Sequence, residues 1–394
     1  MKGEGSLLKA RRTVAVIALG IIGLIRSAHA QTAPSVDTPS SGGLSAPSPA
    51  VEAAAPLPTL APVDLEADFV VSVPKGVSGR LAFSAKVKGF DRIFVVDLDS
   101  RRLTPLVEAR GNNFAGAWSP DGTRLVFVSD REGTKDLYSV NWDGTDERRL
   151  TDTPTMNEDQ PSWHPKEGAI IFSAERVSAG AEKPTSNIFS LNLMSGETTQ
   201  LTKAEGRNIA PRWSPNGEML AFATNRFWPG WRIVLFNPRT GAEEHLSKAS
   251  GQVVSQPIYP AAGDRIYFAN NTAGSSSIGA YTLSDKKVGA AKYGQGRHLD
   301  PAPSPDGEWL AFSYGEPDAA AFNIFILNRT DRSFKPLVTS VYSLRYPSWS
   351  GTKGIALEAA KAKAIEAQGE TPPQAAPEPS AAPAPSPSGE GSPT

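Results

Sequence analysis

Cysteine is absent from the 394 residues, and histidine occurs only 4 times. The first absence excludes a disulfide scaffold, a Cys-ligated metal site, a thiol nucleophile and a lipidated N-terminal Cys. Charge of neither sign is in excess, with 40 Lys and Arg against 41 Asp and Glu. That excludes a nucleic-acid binder living on a basic patch and a polybasic membrane arm. Long hydrophobic runs are also lacking. The apolar stretch at residues 13–25 is shorter than the about 20 residues that span a bilayer.

What surrounds that stretch gives it a reading. Lys2, Lys9, Arg11 and Arg12 precede it, and Ala28-His29-Ala30 follows. A basic start, a short apolar core and a small-x-small cut site form the secretory pattern. Cleavage after Ala30 is expected, with an uncleaved anchor as the alternative. Arg11-Arg12 is a weak twin-arginine hint, so Sec and Tat export stay open. On a cysteine-free chain this predicts a periplasmic or secreted protein with no stable membrane insertion after cleavage.

Gly (35) and Pro (34) are abundant, and the prolines crowd the ends. Residues 31–63 hold seven and residues 359–394 hold eight. Ala/Pro/Ser tracts of this kind bury too little apolar area to offset chain entropy. The expected organisation is a signal peptide at 1–30, a disordered linker at 31–63, a folded body at 64–358 and a disordered tail at 359–394.

The body repeats. Trp118-Ser119-Pro120-Asp121-Gly122 recurs as Trp163-His164-Pro165 with Gly168, and as Trp213-Ser214-Pro215-Asn216-Gly217. Weaker copies start at Tyr259, Pro303 and Trp349, and successive anchors stand 45, 50, 46, 44 and 46 residues apart. The first five lead into short apolar strands centred on Phe127, Phe172, Phe222, Phe268 and Phe312; Phe83 marks an earlier copy without its anchor. A second strand, a polar turn and a closing strand complete each unit. Four strands at a 40–50-residue period are the signature of a β-propeller blade. Pro-Asp-Gly is turn chemistry, and the Trp suits the wedge between blades. A further proline recurs two residues before the anchor, at 161, 211, 257, 301 and 347. It is expected on a strand bordering the axis, where a ladder bond is not needed. The fold class is therefore all-β: six blades of four antiparallel strands, with seven as the alternative. Residues 67–73 supply the extra strand that makes seven conceivable, and residues 344–349 are expected to close the ring on the first blade.

Units of this form resemble the WD-like propeller repeats of the TolB-like family, residues 118–151 most closely. The resemblance covers about residues 75–354. It implies the propeller fold and an envelope binding or scaffold role. Where that family carries an α/β domain before its propeller, this chain has the Pro/Ala-rich stretch.

Catalytic chemistry finds little support. No G-x-S-x-G elbow and no Walker loop occurs, and His164, His245 and His298 are isolated from one another in the repeat register. Glu158, His298 and Asp300 are the visible acid–base candidates for an alternative reading, a propeller hydrolase or lyase with its site at the channel. Arg131, Arg176 and Arg226 recur after the first apolar strand. A ring of cations is one reading; pairing with carboxylates or carbonyls between blades is the favoured one. Five residues before each anchor stand Asn113, Glu158, Asn208, Val254, His298 and Leu344, expected around the channel mouth. Phe227, Trp228 and Trp231 crowd one hairpin loop on the same face; a partner contact is the expectation, and folding back over an adjacent blade is the alternative. The first reading is thus a non-enzymatic, monomeric binding propeller for an envelope protein or glycan. It has no cofactor, no metal and no nucleic-acid partner, and Phe227, Trp228, Trp231, Asn113, Glu158, Asn208 and His298 are its candidate contacts. A chain trimmed to residues 64–358 should keep the melting temperature of the mature protein within a few degrees, because disordered ends bury little. A large loss of cooperativity on trimming would show the ends to be structural.

Overall fold

The computed structural model describes residues 65–177, 185–203, 205–227, 230–246, 253–272, 275–291 and 295–350. The chain divides into two units, Met1–Pro58 and Thr59–Thr394, and all described residues belong to the second. The targeting segment, both Pro-rich stretches and Trp228 lie outside the described residues.

Six antiparallel sheets follow one another. Blade 2 is the simplest: Asn113–Trp118, Arg124–Ser129, Asp136–Asn141 and Arg148–Arg149, paired in that order from the axis outward. The inner strands of blades 3 to 6 are Met156–Trp163, Asn208–Trp213, Val253–Ile258 and Arg297–Pro303. Blade 1 takes its inner strand from the other end of the chain. Leu344–Trp349 pairs with Arg80–Val87, matching Leu81 to Trp349 and Ala85 to Leu344. The ring is therefore closed by non-local pairing, which leaves no bare inner edge.

The N-terminal strand settles the number of blades. Phe69–Val71 does not start a seventh; it pairs with Phe334–Ser340 as a fifth, outermost strand of blade 6. Chain ends thus cross at one junction, each bound to the blade at the other end. Phe69 packs there against Phe94 and Tyr342 with ring centroids 5.0 and 5.8 Å away. Asp68 accepts from Tyr342 Oη at 2.8 Å.

Local chemistry explains the hairpins. In blade 2, Ser119 Oγ donates to Asp121 at 2.5 Å and accepts from Arg124 N at 3.0 Å. Gly122 N closes the turn on Ser119 O at 2.8 Å with φ of 71°, a conformation that favours glycine. In blade 3 a histidine replaces the serine. His164 Nδ1 accepts from Glu167 N at 2.8 Å, and Nε2 lies 3.3 Å from Gly217 O in the next blade. The core sits between blades. Phe83, Phe127, Phe172, Phe222, Phe268 and Phe312 occupy the same place in successive blades, none more than 3% exposed.

Every inner strand carries a bulge. In five blades the residue before the recurrent proline is left-handed: Gln160, Ala210, Gln256, Asp300 and Tyr346 have φ between 53° and 57°. A bulge leaves one residue outside the ladder, so the missing proline N–H costs nothing. The axis-side position expected for these prolines is therefore completed by a bulge, which the repeat spacing does not reveal.

Truncating the junction ring is expected to be costly. Phe69→Ala should destabilise the protein by about 3–5 kcal/mol, the range for buried Phe truncation, as read by denaturant unfolding. A loss under about 1 kcal/mol would mean that the outermost strand contributes nothing to closure.

Candidate functional site

The inner strands enclose a central cavity of about 500 Å³. Its wall is built from residues that the repeat supplies in rings. Trp118, Trp163, Trp213, Tyr259 and Trp349 form one level, and Pro161, Pro257, Pro301 and Pro347 another. Two indoles tie their blade to the preceding one, Trp118 Nε1 donating to Ser348 O and Trp163 Nε1 to Ala117 O, both at 3.0 Å, while Trp349 Nε1 reaches Ser78 O, just before the Arg80–Val87 strand of its own blade, at 3.3 Å. The anchor Trp thus fills and fastens the inter-blade wedge, as expected. Trp213 Nε1 is buried without a partner among the described residues.

Charge enters this apolar wall at few points. Lys135 Nζ and Asp159 pair at 2.8 Å, both part exposed. Asp300 is buried at the bulge of blade 6. It accepts from Arg345 Nε at 2.5 Å, Ser313 Oγ at 2.7 Å, Tyr346 N at 3.2 Å and Gln256 Nε2. Burial by itself would raise the Asp300 pKa; the Arg345 guanidinium and these donors outweigh it and hold the carboxyl below the usual range. Burial, reinforced by Asp300, pushes the Tyr346 phenol up to about 12. Among the described residues Arg212 has no such partner. Its Nη1 donates to Pro211 O at 2.9 Å and to Gln160 O at 3.2 Å, and burial pushes its pKa down to about 10.

The residues expected around the channel mouth lie elsewhere. Asn113, Glu158, Asn208, Val254, His298 and Leu344 are all buried, and none lines the cavity. Asn113 Nδ2 donates to Ala109 O at 2.9 Å, while its Oδ1 accepts from Arg131 at 3.1 Å. Glu158 accepts from Thr153 Oγ1 at 2.6 Å and from Thr151 Oγ1; burial raises its pKa. Asn208 Nδ2 reaches Ser186 O at 3.3 Å. His298 Nδ1 lies 3.0 Å from Ser276 O, with its ring centroid 5.1 Å from that of Tyr314. The reason for this placement is the bulge. Uniform alternation puts positions five apart on opposite faces; one extra residue inverts that parity. Asn113 and Trp118 therefore both end on the buried side.

The aromatic loop also turns inward where it is described. Phe227 is half-buried against the core between blades 3 and 4 that holds Phe222 and Phe236, with the His245 ring at 4.4 Å and the Arg226 guanidinium at 4.7 Å. Trp231 packs on the core between blades 4 and 5. Arg131 pairs with Glu147 and Arg226 with Glu243, as the pairing reading anticipated, although within a blade; Arg176 is exposed. Among the described residues, no group of three or more His, Asp or Glu side chains is placed to hold a metal ion. Lys135, Asp159 and Arg212 were missed by the sequence reading. A signal existed for Arg212, because the position before the anchor otherwise holds Ala117, Ser162, Ile258, Ala302 and Ser348.

Fold and site together define a closed six-bladed propeller with a narrow, proline- and tryptophan-walled channel. The chain belongs to the TolB beta propeller domain family, which matches residues 74–181 and 177–364. Relatives are more distant. The uncharacterized peptidase YuxL of Bacillus subtilis is 29% identical over 139 residues, 27% of this chain and 21% of that protein. The Tol-Pal system protein TolB of Desulfosudis oleivorans is 28% identical over 129 residues, 33% of this chain and 27% of that protein. The chain thus spans well under half the length of these curated relatives. Among solved structures, TolB from Acinetobacter baumannii superposes with a TM-score of 0.61 at 18% identity, covering 71% of this chain and 68% of that one. An oligogalacturonate lyase in complex with manganese reaches 0.50 at 17% identity, covering 66% and 73%. These likenesses establish the fold.

Acid should probe the Asp300 network. A carboxyl whose folded pKa lies below its ordinary 3.8 stabilises the fold fully above that value. The contribution is lost as pH falls through the lower, folded value. Asp300→Asn should cost about 2–3 kcal/mol at neutral pH, below the full buried-pair range because Arg345 is part exposed. It should also flatten the fall in stability below about pH 4. Unfolding curves at pH 7 and pH 3 measure both, and a variant with an unchanged acid slope would remove Asp300 from this role.

Proposed function

We propose that this chain is a non-enzymatic, exported binding or scaffold propeller whose channel face recognises a protein or cell-envelope ligand. The observation that carries the reading is how the channel spends its titratable groups. Lys135 and Asp159 neutralise each other, and Asp300 is consumed by Arg345, Gln256 and Ser313. Glu158 and His298, the other acid–base candidates, are buried between blades. No acid–base pair among the described residues stands free in the cavity for turnover. Apolar walls with a few placed polar groups are the usual make-up of a recognition site. Periplasmic location is supported by the basic, apolar and small-residue pattern of residues 1–30 and by the kinship with a Tol-Pal system protein.

Capture from envelope extract tests the reading. Immobilised mature protein should retain a partner, and Lys135→Glu, which places like charges beside Asp159 at the cavity edge, should retain much less of it. The melting temperature should change little, because a part-exposed ion pair is worth under about 1 kcal/mol. Equal capture by both proteins would take the channel out of the interface. Cleavage of peptides or glycans from the same extract would instead make the protein a propeller hydrolase or lyase.

A further inference from the structure

Arg212 departs from its counterparts in charge and from the carboxylate-paired arginines in company; Arg297 and Arg329 are likewise held by carbonyls, those of Ala319 and Gly307, but do not line the cavity. The equivalent positions hold Ala117, Ser162, Ile258, Ala302 and Ser348. Arg124, Arg131, Arg149, Arg207, Arg226 and Arg345 each meet a carboxylate within 4 Å. Among the described residues Arg212 meets none. Its Nη1 is fixed by two carbonyls, and its Nε and Nη2 have no hydrogen-bond partner among the described residues. The guanidinium lines the cavity, half-buried, and burial lowers its pKa. An unpaired charge in such a place is a net cost to the fold, and side chains of small or apolar type stand in its place around the rest of the ring.

The remaining charges of the cavity cancel, Lys135 against Asp159 and Asp300 against Arg345. One positive charge is left, held in a fixed orientation with one edge of its fork open. That edge is shaped for the two oxygens of a carboxylate.

We propose that Arg212 is the receptor for a single carboxylate on a ligand that occupies the channel, an extended peptide segment with one acidic group set among apolar residues. This rests on the binding-module reading and names the ligand class for it. A polyanion or phosphate would call for more than one free cation. An acidic sugar would bring hydroxyls that need partners, whereas prolines offer no N–H, the indoles of Trp118, Trp163 and Trp349 are already engaged, and the Nε1 of Trp213 is buried. Proline and aromatic walls suit apolar side chains flanking the acid.

A capped random pentapeptide library with Asp, Asn or Lys fixed at its centre provides the probe, passed over the immobilised full chain and over Arg212→Met. Wild type should enrich the Asp pool about tenfold or more over the Asn pool, the scale of a hydrogen bond to a charged group, and rising salt should erode that preference. Arg212→Met should retain apolar peptides without the acid preference, and Arg212→Lys should recover only part of it. Arg212→Met should also melt no lower than wild type, because an unpaired charge has been replaced by an apolar side chain. A clearly lower melting temperature would assign Arg212 a structural role and overturn the proposal. Peptides retained with no acid preference, or with the same preference in the variant, would overturn the carboxylate receptor while leaving the binding module standing. No peptide retained, but digalacturonate bound through Arg212, would replace the peptide by an acidic glycan. Retention of neither would remove both this inference and the channel-binding reading.

Discussion

Six separate sheets make a ring only if each inner strand bends around the axis and holds its neighbour, and the bulge before the recurrent proline does both. The extra residue turns the strand and takes the left-handed conformation at Gln160, Ala210, Gln256, Asp300 and Tyr346, which costs a non-glycine residue about 1 kcal/mol or more. What the conformation gives is a backbone N–H aimed at the preceding blade. Ala210 N donates to Gln160 Oε1 at 2.8 Å, Asp300 N to Gln256 Oε1 at 3.0 Å and Tyr346 N to Asp300 Oδ2 at 3.2 Å. At the first junction Ala115 N donates to Ser84 Oγ at 2.8 Å. A side chain of one blade thus satisfies the displaced backbone of the next, and local strain becomes inter-blade attachment.

Closure depends on the same device. Blade 6 meets blade 1 through Asp300, whose carboxylate takes both Arg345 and the amide of Tyr346. Here the neutral glutamine used between blades 3 and 4 is replaced by a buried charge with its own counter-ion. The junction where chain ends cross also carries Phe69 and the pairing of Leu344–Trp349 with the first blade. Non-local strand pairing has to bear the entropy of closing nearly the whole chain, and a buried charge-assisted contact stands there to support it. The same engagement removes Asp300 from chemistry: a carboxyl held below its ordinary pKa by an adjacent guanidinium is a poor proton carrier near neutral pH.

The repeat frame was legible because it rests on residue types with strong local preferences. Trp-Ser-Pro-Asp-Gly can do little but turn, and the following Leu-x-Phe strands announce a core position six times over. The closing strand at 344–349 was legible by elimination, as an inner strand lacking a blade. Side-chain direction was not. The bulge shows in the sequence only as an X-Pro step, and Asn113, Glu158, Asn208 and His298, expected on loops at the mouth, instead lie at the starts of the inner strands and are buried. Aromatic clustering misled differently. A partner contact was suggested for Phe227 and Trp231 because their hairpin is polar in other blades, but rings beside the blade 3–4 and 4–5 cores bury apolar area by folding inward, the alternative the clustering left open.

Arg212 was overlooked because an arginine inside an arginine-bearing repeat draws no notice until the ring is aligned and its five counterparts prove uncharged. Its setting then matters more than its identity. It stands on an inner strand between the left-handed Ala210 and the anchor Trp213, and its Nη1 is held by the carbonyl of Gln160, itself part of the clip between blades 3 and 4. Binding usually costs affinity when a long cationic side chain must be ordered. Here the ring has already ordered it, and the fold bears the desolvation of the charge before any ligand arrives. A rigid closed propeller tolerates such a cost at one wall position because six inter-blade cores supply the stability. That division of labour, with repeated positions holding the ring and one unrepeated position left electrostatically open, is what separates the frame from its candidate site.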